Sequence, residues 1–277
     1  MQKKNSLATS LNTDIEVRSL SRLRSIPPEN IEGKHPDTLI LFHWQRLVAS
    51  ANKVFDFLDR NDKSDDIAGS YKNFCYEAAE LTEAYRRALN KISGDKQVNN
   101  RFNTKCKKVR DNVSYMVNKL KHEDRDIRTV YVRNDIDNAL LAVGFVLVKQ
   151  ENPECLVLDK RIHREEQRAI SYLHHLCEVL CAAVLIESIM EETLSSLNIE
   201  KVDIDSPFDG LSRLNQRIAA TKLLVFPGET KVENRVFPVL DSAIENSKQI
   251  YYSLNNVCVE NSFSGDGRTK SFPLVNV

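Results

Sequence analysis

The chain has 277 residues, 42% of them hydrophobic and 28% charged, enough to bury one large core or two small ones. Lysines and arginines balance aspartates and glutamates at 39 each, so the molecule as a whole is no electrostatic glove for nucleic acid. Only 8 glycines and 8 prolines exclude collagen-like and linker-dominated chains and favour long helices. The longest apolar run, around residues 180–190, contains Glu187 and is too short to span a bilayer. Lys3 and Lys4 precede no apolar stretch of the kind a secretory signal carries. Six scattered cysteines lack the density of a disulfide scaffold, so reduced thiols and a cytoplasmic protein without a membrane contact are expected.

Residues 1–36 are polar and contain Pro27-Pro28; they read as an arm that is disordered or laid on the surface. Asp37 reads as a helix N-cap, and Leu41, Trp44, Leu47, Val48, Ala51, Phe55 and Leu58 recur at helical spacing across residues 39–58. A second helix is expected over residues 67–92, with Tyr71, Phe74, Ala78, Leu81 and Leu89 inward and Ser93-Gly94-Asp95 as its stop. A third spans residues 99–122 on a seam of Phe102, Cys106, Val109, Val113, Met116, Val117 and Leu120. Short turns between long amphipathic segments make antiparallel neighbours.

Residues 140–148 are β-branched and apolar, Asn152-Pro153 turns, and residues 156–158 are apolar again: a β-hairpin inserted at about 139–158. A fourth helix is expected from about residue 163 to 197, apolar on nearly every side over 170–190, as suits the centre of a core. Beyond it the pattern gives a helix at 208–220, a strand at 222–226, a turn at Pro227-Gly228 and a helix near 239–254. The fold class is therefore mostly α: an antiparallel helical bundle over residues 37–200 with an inserted hairpin, and a mixed α/β extension over 201–277 packed on it.

The third helix carries the chemistry-bearing residues. Arg110, Ser114, Asn118 and His122 are spaced by four and share a stripe beside the apolar seam. His122 ends that helix among Lys119, Lys121 and Arg125, and a histidine in such company can take or give a proton near neutral pH. Between residues 101 and 133 ten lysines and arginines face four acids, a face that a phosphate backbone would be drawn to. A solvated helix face is the commoner cause of such a run. Arg164, Arg168, Tyr172 and His175 form a second candidate stripe, which reads first as the solvated flank of the buried helix. His174, His175, Cys177 and Cys181 invite a zinc site, yet no second ligand pair stands at recognisable spacing, and no metal or cofactor is expected.

Three long helices, a polar-x-x-x-His element at Asn118–His122 ending the third, and then a hairpin and a fourth apolar helix resemble the HEPN superfamily of bacteria and phages, over residues 37–197. The resemblance implies RNA as partner, a homodimer, and a metal-independent endoribonuclease with a role in bacterial defence or stress. His122 would activate the ribose 2′-hydroxyl, Asn118 would be the polar residue of the motif, and Lys119, Lys121 and Arg125 would contact RNA. In this family an arginine directly precedes the polar residue, where this chain has Val117. Arg110 lies twelve residues from His122, about 18 Å along a helix, so it could serve only the His122 of a second copy. Arg168, upstream of His174 and His175, is the other arginine at a spacing the family tolerates. The rival expectation is a non-enzymatic interaction protein whose bundle is a dimerisation scaffold.

Overall fold

The computed structural model describes residues 17–60, 67–122, 125–134, 140–152, 155–159, 170–204, 208–220, 250–254 and 257–261. Among these, the helices are α1 (Ser19–Leu23), α2 (Pro36–Arg60), α3 (Ile67–Ile92), α4 (Lys96–His122), α5 (Tyr172–Ser196) and α6 (Gly210–Ala220). The strands are β1 (Arg125–Asn134), β2 (Leu140–Asn152), β3 (Cys155–Leu158), β4 (Ile170–Ser171), β5 (Ile250–Leu254) and β6 (Val257–Asn261). The mostly helical class with a β insertion is as the sequence pattern predicts. No described helix is long and apolar enough to cross a membrane.

Helices α2 to α5 form the bundle. Their buried side chains follow the helical period: Ile40, Trp44, Leu47, Val48, Ala51, Phe55 and Leu58 on α2, and Phe102, Cys106, Val113, Met116 and Val117 on α4. Cross-contacts fix the directions. Trp44 meets Tyr85 and Arg46 meets Glu77, so α2 and α3 are antiparallel. Cys75 meets Met116 and Lys105 meets Glu192, so α4 is antiparallel to both α3 and α5. The turn into α4 is set by Asp95, whose carboxylate accepts the Gln97 backbone N–H at 2.7 Å, an N-cap. At the start of α2, Asp37 lies in the first turn behind Pro36 rather than at the cap, and its carboxylate holds His35 at 2.7 Å.

The sheet is larger than a single inserted hairpin. Its order is β3-β2-β1-β5-β6, with β4 also paired to β2. The hairpin expected from sequence is present as β2–β3, with Val148 opposite Leu158. A second and longer one, β1–β2, places Thr129 opposite Phe145 and Ile127 opposite Leu147. Ile127, Val143, Phe145 and Leu147 join the helical core. Residues 143–148 are buried without alternation, so β2 is covered on both faces.

Three other expectations need correction. Residues 17–23 are not a surface arm: Val17 and, on α1, Leu20 and Leu23 are in the core, where a buried carboxylate on α5 captures the helix start, whereas residues 27–29 and 32–34 are exposed. Glu187, 3% exposed, accepts the Ser19 backbone N–H at 2.6 Å and the Ser19 hydroxyl at 2.7 Å, and the Tyr85 hydroxyl donates to it while accepting from Trp44 Nε1 at 2.6 Å. The network ties α1, α2, α3 and α5 together. Secondly, α5 begins at Tyr172 after β4, not near residue 163, since Ile170 and Ser171 pair with Phe145 and Gly144. Thirdly, residues 250–254 are a strand paired to β1, not the end of a helix. The strand expected at 222–226, the turn at Pro227-Gly228 and residues 239–249 lie outside the described residues.

Candidate nucleic-acid interface

Helix α4 carries eight lysines and arginines against one acid, Asp111, in a chain of zero net charge. At ~100° per residue, Lys107, Arg110, Ser114, Asn118 and Lys121 fall on one face. That face lies beside the buried seam: Lys107, Asn118 and Lys121 are exposed, Arg110 and Ser114 half-buried. The stripe Arg110–Ser114–Asn118 thus stands on the surface as its spacing predicts. His122 closes the helix; its side chain lies outside the described residues. Val117, directly before Asn118, is 3% exposed and packed in the core. Arg110 approaches Asp111 on the same helix at 3.9 Å, a loose pair that water screens.

At the C-terminal end of α4 the lysines are held over aromatic rings. Lys119 Nζ lies 5.1 Å from the centre of the Tyr115 ring, one helical turn before it, and Lys121 Nζ lies 5.0 Å from the Tyr76 ring on α3. Such contacts orient an ammonium without neutralising it. On β1, Lys72 of α3 pairs with Asp126, and Arg128 Nε stands 3.4 Å from the same carboxylate. Two cations therefore share one acid, and among the described residues the junction of α3, α4 and β1 keeps a positive excess.

Arg125 departs from its expected role. It is 17% exposed and points to Asp159 at 3.9 Å, a residue 3% exposed that also accepts the Tyr115 hydroxyl at 3.1 Å. Burying that carboxylate requires donors and counter-charge, so Arg125 is turned to Asp159 beside β3, and Tyr115 of α4 ties the same carboxylate to the bundle. The second stripe is also corrected. Tyr172 is fully buried, its hydroxyl 3.0 Å from Thr129 Oγ1, and its ring sits 4.7 Å from Tyr71 and 5.2 Å from Phe145. His175 Nδ1 meets the Tyr71 hydroxyl. These two side chains glue α3, α5 and β2 together, the opposite of a solvated flank. Arg164, Arg168 and the side chain of His174 lie outside the described residues.

Cysteine chemistry finds no footing at this face. Burial pushes the Cys75 thiol up to about 12 and the Cys106 thiol up to about 11, so neither is a thiolate at neutral pH. Among the described residues no three His, Cys, Asp or Glu side chains gather as a metal site would require.

Sequence reasoning missed Tyr76, Tyr115 and Lys72. The Tyr115–Lys119 pair was legible as an i, i+4 spacing. The Lys121–Tyr76 contact joins residues 45 positions apart on different helices, and nothing local announces it. Compared with known protein families, curated proteins and solved structures, the chain matches none.

Proposed function

We propose that this protein is a HEPN-like RNA-binding protein that grips the phosphodiester backbone with the basic face of α4 and the lysine-bearing junction at its C-terminal end. One observation carries the reading: eight cations against one acid on a single helix, in a chain of zero net charge overall, with Lys107, Arg110 and Lys121 turned outward. Backbone phosphates supply most of the affinity of such a face and make it salt-dependent. Asn118 between them adds a donor and an acceptor suited to a 2′-hydroxyl or a base edge.

Binding is favoured over cleavage by Val117. Metal-independent cleavage needs a base for the 2′-hydroxyl and a cation on the developing phosphate charge, and a buried valine supplies none beside His122. Cleavage would then require a homodimer in which Arg110 of one copy approaches His122 of the other.

The test is titration of labelled RNA with the purified protein in EDTA at several salt concentrations. We expect saturable binding of intact RNA, weakened about tenfold or more by Lys107→Glu with Lys121→Glu. The salt slope should become shallower by about 1 for each phosphate that the variant no longer neutralises. A product ending in a cyclic phosphate, abolished by His122→Ala, would convert the reading to a ribonuclease. Absence of binding at low salt would leave the scaffold role.

A further inference from the structure

Helix α1 has 5 residues, too few to be stable through their own backbone bonds, so its conformation depends on the surface beneath it. Val17, Leu20 and Leu23 pack onto that surface, while Arg18 and Arg24 face solvent. At the start of α1, Ser19 gives both its backbone N–H and its hydroxyl to Glu187 of α5, and the Tyr85 hydroxyl of α3 supplies a further hydrogen bond. Ser19 is fully buried beneath the exposed outer face of α1, so this helix is the layer between the Glu187 carboxyl and water. Two outer ties complete the seat. Arg22 donates to Glu191 at 3.0 Å, to Ser195 at 3.2 Å and to the Ile199 carbonyl, and the Val202 backbone N–H donates to the Ser21 carbonyl at 3.2 Å. The far end of the segment is fixed separately, where a His35 ring nitrogen lies 3.0 Å from the Ile26 carbonyl and Pro27 and Pro28 follow in the open. Residues 17–25 can therefore lift as a unit while α2 stays packed.

A carboxyl enclosed in this way couples α1 to a proton. Burial pushes Glu187 above the usual carboxylate range, against the hydrogen bonds from Ser19 and Tyr85, and Glu191 one turn further along α5 adds a like charge. The groups that the surrounding elements turn toward it leave it as the one that titrates. Tyr85 of α3 is held neutral by its own burial, and Trp44 of α2, which donates to the Tyr85 hydroxyl, does not titrate. Glu191 is paired with Arg22 of α1 and with Lys201. With α1 lifted, water reaches Glu187, and the carboxyl holds its proton no more tightly than an ordinary one. Between the ordinary and the raised value the seated form keeps a proton that the lifted form has lost. Lifting then releases one proton, and rising pH favours it.

We propose that residues 17–25 form a proton-latched strap, which stays seated on the bundle while Glu187 carries its proton and lifts about a hinge at Ile26–Pro28 more readily once that proton is lost. It is independent of the RNA reading. The test is hydrogen exchange of the full chain across about pH 4 to 8, with amide rates corrected for their intrinsic pH dependence. The opening equilibrium of residues 19–25 should rise about tenfold per pH unit above the ordinary carboxylate value, and level off once the seated carboxyl ionises too. Amides of residues 74–85 on α3 should exchange at least about tenfold more slowly at every pH, which separates lifting of the strap from global unfolding. Glu187→Gln has no proton to lose and should hold the strap's protection constant over the whole range. Arg22→Ala should raise opening about tenfold at every pH and leave the slope as it is, since it loosens the seat without touching the proton. A flat response in the parent chain, strap amides that exchange only together with those of α3, or a slope that persists in folded Glu187→Gln would overturn the proposal.

Discussion

Helices α4 and α5 lie side by side, run in opposite directions and have nearly the same length, 27 and 25 residues. Their chemistry is inverted. α4 carries eight cations and one acid, while α5 carries four acids, no lysine or arginine, and the most apolar sequence of the long helices. Of the four acids Glu187 is buried, and Glu191 is drawn toward Arg22 at 3.0 Å and Lys201. Lys105 and Glu192 form an ion pair between the two helices, and both are more than half exposed. The lesson is that α5 buries most of its side chains whereas α4 buries one seam and shows a basic face to solvent, so changes on α5 should be read in stability and changes on the outer face of α4 in binding.

The largest effect expected from this contrast is in the core. Leu180 is 6% exposed on α5, and Leu180→Ala should lower unfolding free energy by about 2–5 kcal/mol, measured by denaturant titration. A loss below about 0.5 kcal/mol would place α5 at the periphery and erase the distinction. Next, Arg110→Ala on α4 should reduce RNA affinity about tenfold and flatten the salt slope by about 1, with melting unchanged. An RNA affinity equal to the parent's would remove this stretch of α4 from the interface.

A smaller effect comes from Glu187, whose carboxyl is pushed above the usual range by burial, against the hydrogen bonds from Ser19 and Tyr85 that favour its ionised form. The folded state then holds the proton more tightly than the unfolded chain does. Its stabilising contribution is complete below the ordinary carboxylate pKa and fades as pH rises through the raised folded value. Glu187→Gln should remove that slope, read as stability measured by denaturant titration across pH. Parallel stability–pH curves for the two proteins would refute the assignment. Smallest of all, Asn118→Ala on the exposed face should shift stability by no more than about 0.5 kcal/mol, while weakening RNA binding measurably if the side chain touches RNA.

The long helices were readable because each carries its apolar residues at the period of the fold, and that period is a local property. The sheet was half readable. β2 is a continuous run of apolar and β-branched residues over 140–148, whereas in β1 charged Asp126 and Arg128 alternate with Ile127 and Thr129, a strand pattern that the charge count obscured. The candidate interface divides in the same way. The stripe of Arg110, Ser114 and Asn118 follows from spacing alone, but the diversion of Arg125 to Asp159 and of Tyr172 into an aromatic cluster depends on partners 34 and 43 positions away.

What the sequence determined by itself is the four long helices of the bundle, their inward faces and the excess of positive charge on α4, since these depend on residues within a few turns of one another. The tertiary structure alone decided that α1 belongs to the core, that β1 and β5 extend the hairpin into a sheet, and that Lys121 rests on Tyr76. Each of those facts is a contact between distant residues, and a buried carboxylate such as Glu187 or Asp159, costly to desolvate, is tolerated only where the chain brings donors to it.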